Sequence, residues 1–413
     1  MSAETAVRRV TMPAYLSSFR CLGAACEDNC CRAGWNIPVD ASTFLRYREL
    51  DHEMGPALRQ HIPANAPDKA TPEDFARIRL NEHGACPFLT DGMCGVQMTL
   101  GEPLLSNVCL SYPRRTNVVD ERIERAAMLS CPEIARLALL DPCAMELREV
   151  EEPAGTRTVL GAVFDQRVAQ QDALLGQASI IRRATVRLLQ SRAGSIEARL
   201  VGLGLSLTRL SGRGHVAQRV EAVFELYTEG LPQIDEQLAS MPADRELQLE
   251  VLREITVERY ATGRVLPSQR YDRCIERIAR GLRLRRTTSP GAESVAAYDS
   301  AVRDVFQPFF AARPHILQNF LVNGVYASSF PFSGGRKPFD DYVLLAVRFA
   351  LLKMLLVGVA AHQGQLTDEL VIETVQPFEQ VFTHDANFLR HVLKLLRRSR
   401  AASMPFLTAL ILS

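Results

Sequence analysis

Cysteine is concentrated in the first third of this sequence, and its thiol carries the most distinctive chemistry in the chain. The chain has 413 residues and ten cysteines. Eight of the ten fall within residues 21–131, at Cys21, Cys26, Cys30, Cys31, Cys86, Cys94, Cys109 and Cys131. Eight thiols gathered in one segment of a long chain predict either a disulfide framework or a metal site.

The cellular compartment decides between these two chemistries. Residues 1–12 carry Arg8 and Arg9 but no apolar run behind them, which argues against a secretory signal. We therefore expect a cytoplasmic protein, in which thiols stay reduced and clustered cysteines bind metal more often than they form disulfides. The ordinary alternative is that free cysteines pack as small apolar residues. That explanation suits a single cysteine better than eight in one segment.

The spacing of the cysteines leaves the metal open. Cys26 and Cys30 are separated by three residues, which loosely fits the knuckle of a structural zinc site. Cys21, Cys26 and Cys30 together come within one residue of the plant-type iron–sulfur spacing. Eight thiols suffice for two four-ligand sites, or for one site with spare thiols. From the residues alone, iron–sulfur and zinc are about equally favoured.

Composition limits the partners that the protein can be expected to bind. Lys and Arg total 48 and Asp and Glu total 47, so the formal net charge is +1. This balance gives no reason to expect nucleic acid or an anionic membrane as the partner. The window 342–361 is long and apolar enough to span a bilayer, but it contains Arg348 and Lys353. Because such charges are costly in a bilayer, we predict a buried core helix.

The positions of glycine and proline indicate that the chain has two parts, one rich in loops and short elements and one with long regular elements. Glycine, proline, asparagine and aspartate recur through residues 12–131, which predicts loops and short elements there. Within this part we expect a helix over Ala41–Leu50, a helix starting at Thr71, and a strand pair or extended segment over Asn117–Leu129. Apolar residues make up 47% of the chain, so a large core can form elsewhere.

Long amphipathic windows follow one another after Pro132 and predict helices. They are 133–140, 159–190, 195–210, 216–241, 245–260, 269–284, 295–310, 342–361, 367–382 and 386–398. The basic pair Arg182–Arg183 is expected on a solvated helix face. We thus predict a mainly α protein, with a loop-rich cysteine-cluster domain at residues 12–145 and a helical domain at 146–413. The boundary could lie anywhere between Cys131 and Gly155.

An ordered series of motifs resembles the flagellin lysine-N-methylase family. The series is Cys26-Glu-Asp-Asn-Cys30-Cys31-Arg-Ala-Gly-Trp35, Cys86-Pro-Phe-Leu, Gly92-x-Cys94, Gly101-Glu102-x-x-Leu105, Cys109-x-x-Tyr112-Pro113-Arg114 and Ser130-Cys131-Pro132. Its N-terminal part is similar to a broader zinc- or iron-chelating cysteine-cluster domain. Farther on, His315-Ile-Leu-Gln-Asn319-Phe-Leu-Val-Asn323 and Phe330-Pro-Phe resemble the C-terminal part of the same family.

The resemblance implies a cytoplasmic protein-lysine N-methyltransferase that acts on flagellin, with S-adenosylmethionine as methyl donor. It also implies that the eight cysteines hold metal, with an iron–sulfur cluster favoured over zinc. Two features depart from known donor-binding patterns. Cys31 directly follows Cys30, so the radical-type Cys-x3-Cys-x2-Cys signature is not completed. The lone Gly202-Leu-Gly204 is more typical of helix packing than of a nucleotide fingerprint. The methyl donor is therefore an expectation from resemblance alone.

A lysine methylase must make its substrate nucleophilic. The ε-amine has a pKa near 10.4, so at neutral pH it is protonated until a positioned group removes the proton. Near the cysteines, Asp40, Glu102 and Tyr112 are candidate catalytic residues. Arg114, with Arg115 beside it, could hold the carboxylate of the donor.

Each of these residues also has an ordinary structural interpretation. The Tyr112–Arg114 segment could simply order the loop after Cys109. Trp35 is expected either to shield a cluster from water or to pack in a core. His315 and His384 are read as structural residues. The alternative function is a metal-binding redox or metal-handling protein without methyl transfer.

Overall fold

The structure is a computed structural model that describes residues 6–32, 34–164, 174–211, 219–261, 268–285, 288–333, 337–384, 386–398 and 401–412. Residues 1–5, which belong to the segment expected to lack a secretory signal, fall outside this part. So do residues 165–173 and 216–218 of the predicted helical windows.

Helices make up most of the described chain, which confirms the predicted mainly α fold. They are α1 (Tyr15–Ser18), α2 (Ala41–Glu49), α3 (Gly55–His61), α4 (Gly95–Leu100), α5 (Asn107–Ser111), α6 (Pro132–Leu139), α7 (Ala178–Leu189), α8 (Ile196–Leu210), α9 (Val220–Glu229), α10 (Leu231–Ser240), α11 (Arg245–Ala261), α12 (Gln269–Gly281), α13 (Ala292–Ala301), α14 (Gln307–Ala312), α15 (His315–Ala327), α16 (Pro338–Gln363), α17 (Asp368–Thr383), α18 (Ala386–Arg398) and α19 (Met404–Ile411). A π-helical turn, Val302–Phe306, joins α13 to α14.

A five-stranded mixed sheet packs against helix α15 of the helical part. The strands are β1 (Val7–Pro13), β2 (Pro38–Val39), β3 (Ala76–Arg77), β4 (Leu89–Thr90), β5 (Met93–Cys94), β6 (Arg114–Val119), β7 (Arg122–Ala127), β8 (Leu147–Pro153) and β9 (Leu160–Phe164). The large sheet has the order β8-β1-β7-β6-β9, while β2–β3 and β4–β5 form separate pairs. Strand β1 pairs in parallel with β7 and antiparallel with β8, so it joins two distant parts of the chain.

Local predictions in the N-terminal part were confirmed in two cases and wrong in one. The predicted helix at Ala41 is α2, and the predicted strand pair is the β6–β7 hairpin. Its two-residue turn places Asp120 and Glu121 at positive φ, as tight hairpins require. No helix starts at Thr71. Its hydroxyl accepts a hydrogen bond from the Asp74 backbone N–H at 3.0 Å, but this turn leads into strand β3 instead.

Two of the long helical windows are interrupted. The window at 159–190 begins with strand β9, and helix α7 starts only at Ala178. The window at 216–241 is divided at Gly230, where Pro232 starts α10. The predicted solvation of Arg182 is also wrong. Its guanidinium is buried and donates to Glu124 of β7 at 2.7 Å, which fastens α7 to the sheet.

Helix α16 is the centre of the helical core. It is long and apolar enough to cross a membrane, yet 94% of its most apolar window is buried inside the protein. Its two basic residues are paired: Arg348 donates two hydrogen bonds to Glu379 at 2.7 and 2.8 Å, and Lys353 donates to Glu197 at 2.6 Å. The predicted core helix is thus confirmed.

The lone Gly202-Leu-Gly204 lies inside α8, where Gly204 meets α16. A Cβ atom at Gly204 would collide with the ring of Tyr342, so this glycine lets two helices approach closely. The packing interpretation of this motif is confirmed.

Two hydrophobic clusters form the interior. The larger one extends from Met12 through the sheet and the helices to Ile411. The smaller one involves residues 37–105 and lies beneath the cysteine loops, with Tyr47, Leu58 and Phe88 among its buried members. The predicted domain boundary near residue 145 stays a prediction.

A polar stripe on α15 joins the helical part to the end of α6 and to the sheet. Asn319 donates to the carbonyl oxygens of Ala138 and Asp141 at 3.0 and 2.9 Å. Asn323 donates to the carbonyl oxygen of Ala127 at 3.0 Å and accepts from the Tyr15 hydroxyl at 2.7 Å. These asparagines therefore supply hydrogen bonds that neither α6 nor the sheet edge can make for itself.

We expect Asn323→Leu to lower the free energy of unfolding by about 2–3 kcal/mol, because it leaves a buried carbonyl without its donor and a buried hydroxyl without its acceptor. Chemical denaturation measures this change. Gln363→Leu, at an exposed position near the end of α16, is the control and should change stability little. An Asn323→Leu protein as stable as the control would contradict the structural role of the stripe.

Candidate metal centre

The cysteines of the first third are free thiols, and a group of them lies together. All ten cysteines of the chain are unpaired with one another as disulfides. The Cys31 thiol is within hydrogen-bonding reach of both the Cys30 and Cys94 thiols. Cys86 and Cys109 are close enough to Cys30 and Cys94 to interact with them electrostatically. Five of the eight predicted ligands thus meet around Cys31.

Short backbone contacts bring these five residues together from three loops. The Cys86 backbone N–H donates to the Cys31 carbonyl oxygen at 2.8 Å. Cys94 ends the β4–β5 hairpin, in which it pairs with Leu89. The Asn29 side chain joins the first loop to this hairpin: it donates to the Gly92 carbonyl oxygen at 2.7 Å and accepts from the Cys31 N–H at 2.9 Å.

The remaining three predicted ligands lie on one side of this group. Cys26 interacts electrostatically with Cys21 and Cys30, and Cys131 interacts with Cys26 and Cys30. Cys21 is exposed. Cys30 is therefore the member of the five-thiol group that interacts with both Cys26 and Cys131.

The two scattered cysteines lie elsewhere. Cys143 is exposed, and Cys274 is buried in α12 against Thr374.

Backbone N–H groups point at several of the sulfur atoms. The Cys26 thiol is approached by the N–H of Asp28, and the Cys86 thiol by that of Phe88. Cys94 and Cys131 stand at the N-termini of α4 and α6, where each thiol faces two N–H groups of the first helical turn. Hydrogen bonds donated to sulfur stabilise the thiolate, which is the form that binds metal.

Burial opposes this ionisation when no cation is bound. Burial raises the pKa of Cys86 to about 11, and those of Cys109 and Cys131 to about 12. The hydrogen bond from Cys31 lowers the pKa of Cys94 to about 6, and the same pairing raises the pKa of Cys31. Neighbouring thiols cannot all become thiolates unless positive charge is placed among them. A metal centre would supply that charge.

The arrangement is looser than a single-ion site. Among the described residues, no three or more His, Cys, Asp or Glu side chains converge in the way that one metal ion requires. Tetrahedral zinc would hold its sulfur ligands only about 3.8 Å apart, given Zn–S bonds of about 2.3 Å. A cluster with several irons can take thiolates from a wider shell. Thiolates are soft ligands that suit zinc and iron–sulfur alike, so the identity of the metal stays a prediction.

Asp40 is occupied by structural contacts. It is the N-cap of α2 and accepts from the backbone N–H groups of Thr43 and Asn107 at 3.0 Å each, and from the Ser42 hydroxyl at 2.7 Å. Burial alone would raise the pKa of Asp40, but these hydrogen bonds outweigh it and hold the pKa below its usual range. Asp40 therefore ties α2 to α5, and its catalytic role stays a prediction.

Glu102 and Arg114 lie on the outer side of the cysteine loops. Glu102 is exposed and close enough to Arg114 to interact with it electrostatically. The Arg114 guanidinium stacks over the Phe19 ring, 5.2 Å from its centre. The catalytic role of Glu102 and the donor-binding role of Arg114 stay predictions.

Tyr112 belongs to a small aromatic group that sequence reasoning did not assemble. The rings of Tyr112 and His384 lie 4.7 and 4.5 Å from the Trp35 ring. The Ser130 hydroxyl, next to Cys131, lies 3.2 Å from the Tyr112 hydroxyl and 2.9 Å from His384 Nε2. Burial lowers the pKa of His384 to about 4, so its ring is neutral at neutral pH. Trp35, for which a structural role was expected, and Tyr112, a catalytic candidate, thus belong to the same aromatic group.

A glutamine of α17 holds two of the cysteine loops in place. Gln376 is fully buried, and its amide nitrogen donates to the Asp28 carboxylate at 2.7 Å and to the Ser130 carbonyl oxygen at 3.0 Å. Asp28 lies between Cys26 and Cys30, and Ser130 precedes Cys131. Helix α17 therefore contacts both ends of the cysteine-rich segment. No sequence signal identified Gln376, because a glutamine in a helix is ordinary.

The fold and the site together define a class: a mainly helical protein whose N-terminal array of free thiols is closed by a C-terminal helical domain. The family described as "FliB lysine N-methylase C-terminal domain" matches residues 182–410, more than half of the chain. The chain belongs to this lysine N-methylase family. The predicted kinship is therefore confirmed.

Similarity to relatives extends over nearly the whole chain. Lysine-N-methylases of Salmonella choleraesuis strain SC-B67 and Salmonella typhimurium strain LT2 are each 24% identical to it over 408 residues, 93% of this chain and 95% of theirs. The flagellar biosynthetic protein FliU of Salmonella muenchen is 36% identical over 143 residues, 34% of this chain and 82% of its own. No solved structure matches the chain significantly.

We expect Cys30→Ser and Cys94→Ser to lose most of the metal bound by the anaerobically prepared protein and to destabilise the cysteine loops, because both thiols adjoin Cys31. Iron, zinc and sulfide analysis per chain measures the loss. Cys143→Ser, at an exposed cysteine, and Cys274→Ser, at a buried one, are matched controls that should keep the wild-type content. Equal losses in all four variants would show that the ligands are assigned wrongly.

Proposed function

We propose that this protein transfers methyl groups from S-adenosylmethionine to lysine ε-amines of flagellin, and that its N-terminal cysteines hold an iron–sulfur cluster. Membership of the lysine N-methylase family carries the proposal. The flagellar name of the relative FliU supports flagellin as the substrate class. We further infer that the protein acts in the cytoplasm, where its thiols would stay reduced.

Methyl transfer requires a site that holds the lysine amine in its neutral form and directs its lone pair at the methyl group. The lone pair of the neutral amine forms the new N–C bond while the S–C bond of the sulfonium breaks, and its electron pair stays on sulfur in S-adenosylhomocysteine. The ammonium proton must leave first, because the protonated amine has no lone pair. The half-buried group of Trp35, Tyr112 and His384 offers aromatic surface beside the thiols, on which the apolar stem of the substrate lysine would pack.

The residues expected to hold the cluster are the five around Cys31, with Cys21, Cys26 and Cys131 on the adjoining side. When bound, an iron–sulfur cluster supplies positive charge for the thiolates and can exchange single electrons. The chain's own contribution is the pattern of N–H groups aimed at sulfur. Those groups favour the ionised ligands, and the loops that carry them would be fixed by metal rather than by a large core of their own.

We expect the purified protein, prepared anaerobically, to transfer isotope-labelled methyl groups from S-adenosylmethionine to unmethylated flagellin, with one S-adenosylhomocysteine formed for each methyl group. Mass spectrometry of flagellin peptides measures the modified lysines. Flagellin with acetylated ε-amines is the control and should accept no label. If flagellin from a strain lacking this gene retains unchanged lysine methylation, the proposal fails in favour of a metal-handling protein.

Metal and sulfide analysis with electron paramagnetic resonance tests the identity of the metal. We expect iron and acid-labile sulfide in comparable amounts, and a paramagnetic signal after reduction. Protein purified in air is the comparison and should contain less of both. Stoichiometric zinc without sulfide would replace the iron–sulfur proposal by a zinc site.

A further inference from the structure

Helix α17 carries a row of polar side chains that the site description has not explained. Gln376, Gln380 and His384 are spaced four residues apart, so they follow one another along one face of the helix. Gln376 and His384 both contact Ser130, which places this face against the cysteine loops. Gln380 lies between them in sequence. We call the face formed by Gln376, Gln380 and His384 the glutamine face.

Two amide oxygens on this face have no hydrogen-bond donor within the part of the chain that the structure describes. Gln376 is 0% exposed and Gln380 is 3% exposed, yet no described residue donates to Oε1 of either. An unpaired buried amide oxygen costs about 1–3 kcal/mol. Two of them, one helical turn apart, are therefore unusual, and buried groups of this kind call for a specific explanation.

The neighbours of Gln376 determine which way its amide oxygen and nitrogen point. Its Nε2 faces two acceptors, the Asp28 carboxylate and the Ser130 carbonyl oxygen. Exchanging the oxygen and nitrogen would place an acceptor against two acceptors, so Oε1 must point away from them. A donor that does not belong to the described side chains is needed to satisfy it.

The chemistry of the surroundings favours a cation as the donor. The Asp28 carboxylate lies beside Gln376, and the partly exposed Trp35 and Tyr112 rings lie around His384, next to the same Ser130. Carboxylates and aromatic faces both attract cations. An ammonium group has three hydrogens to donate, and two of them match the two amide oxygens. Arg115 and Arg270 are near enough to weaken this attraction, so binding depends on the oxygens being correctly placed.

We propose that the glutamine face binds a primary ammonium group, supplied either by the substrate lysine or by the amino-acid part of the methyl donor. The choice of these two sources rests on the proposed methyltransferase function. If the source is lysine, the same two oxygens can hold both N–H hydrogens of the neutral amine and leave its lone pair free to attack. Gln380 is then a residue that orients the nucleophile.

Binding to the metal-loaded full chain tests the proposal, with fluorescence of Trp35 as the readout. Trp35 is the single tryptophan of the chain and adjoins His384. The lysine probe is Nα-acetyl-lysine methylamide, compared with the norleucine analogue that lacks the ammonium group. The donor probe is S-adenosylmethionine, compared with 5′-methylthioadenosine, which lacks the amino-acid part.

We expect one of the two ammonium probes to bind saturably, and Gln380→Met to raise its Kd at least tenfold without affecting the probes that lack the ammonium group. Gln380→Glu, which keeps an acceptor at the same place, should retain binding. Thr374→Val is the matched control on α17: its hydroxyl bonds within the helix, and the substitution should leave every Kd unchanged. Circular dichroism and metal content show whether each variant is folded and loaded.

Equal binding of the norleucine analogue, or an unchanged Kd in Gln380→Met, would overturn the proposal. So would a Gln380→Met protein that still methylates flagellin with wild-type KM for both substrates. Failure of the wild-type protein to transfer any methyl group would instead overturn the proposed function, while the binding arms would still decide whether an ammonium group is bound here. If Gln380→Met does not fold, the comparison of the four probes on the wild-type chain and on Gln380→Glu decides.

Discussion

One constraint dominates this structure: several ionisable thiols lie close together and are largely shielded from water. The thiols around Cys31 are close enough for the charge of one to oppose the ionisation of the next, and burial raises the pKa of Cys86 and Cys109. Hydrogen bonds from backbone N–H groups stabilise the thiolates, but they offset only part of the cost of burial and repulsion. The loops that carry these residues have one small hydrophobic cluster beneath them. The proposed metal centre would balance this charge and fasten the loops together.

The second constraint is that the two ends of the chain must meet. The β1–β8 and β1–β7 pairings fix the N-terminal strand, and the asparagines of α15 fix the end of α6. Helix α17 then contacts the loops before Cys30 and before Cys131 through one side chain, Gln376. The C-terminal domain is therefore part of the site rather than a separate support. A family defined by that domain would be expected to share the way in which it closes over the thiols.

Much of this architecture could be predicted from sequence because its signals are local. Helical periodicity predicted most of the long helices, and the charges inside the 342–361 window predicted a core helix rather than a membrane span. Cysteine spacing predicted a metal site without choosing the metal. The failures have physical causes. Thr71 makes the hydrogen bond of a helix cap, but the chain then pairs as a strand. Arg182 looks solvated in a helical window, yet a carboxylate on a distant strand pairs with it.

The site residues that sequence reasoning missed share one property. Gln376 and Gln380 belong to a residue type that occurs everywhere, so their importance comes only from contacts made across the fold. A cysteine suggests metal or redox chemistry by its residue type alone. A glutamine becomes notable only when the fold leaves its amide oxygen without a donor among the described residues. The candidate residues Asp40 and Tyr112 were found because their types suggest catalysis, and the structure gives both of them structural partners.

The bridge made by Gln376 has a consequence for how the protein is made. The cysteine loops emerge from the ribosome before α17 does. Until α17 packs against them, the loops lack the contact made by Gln376, and their thiols are more open to oxidants and to competing metals. The proposed centre would therefore be closed only after α17 has been made, and a nascent chain that still lacks this helix would be a poor acceptor for metal.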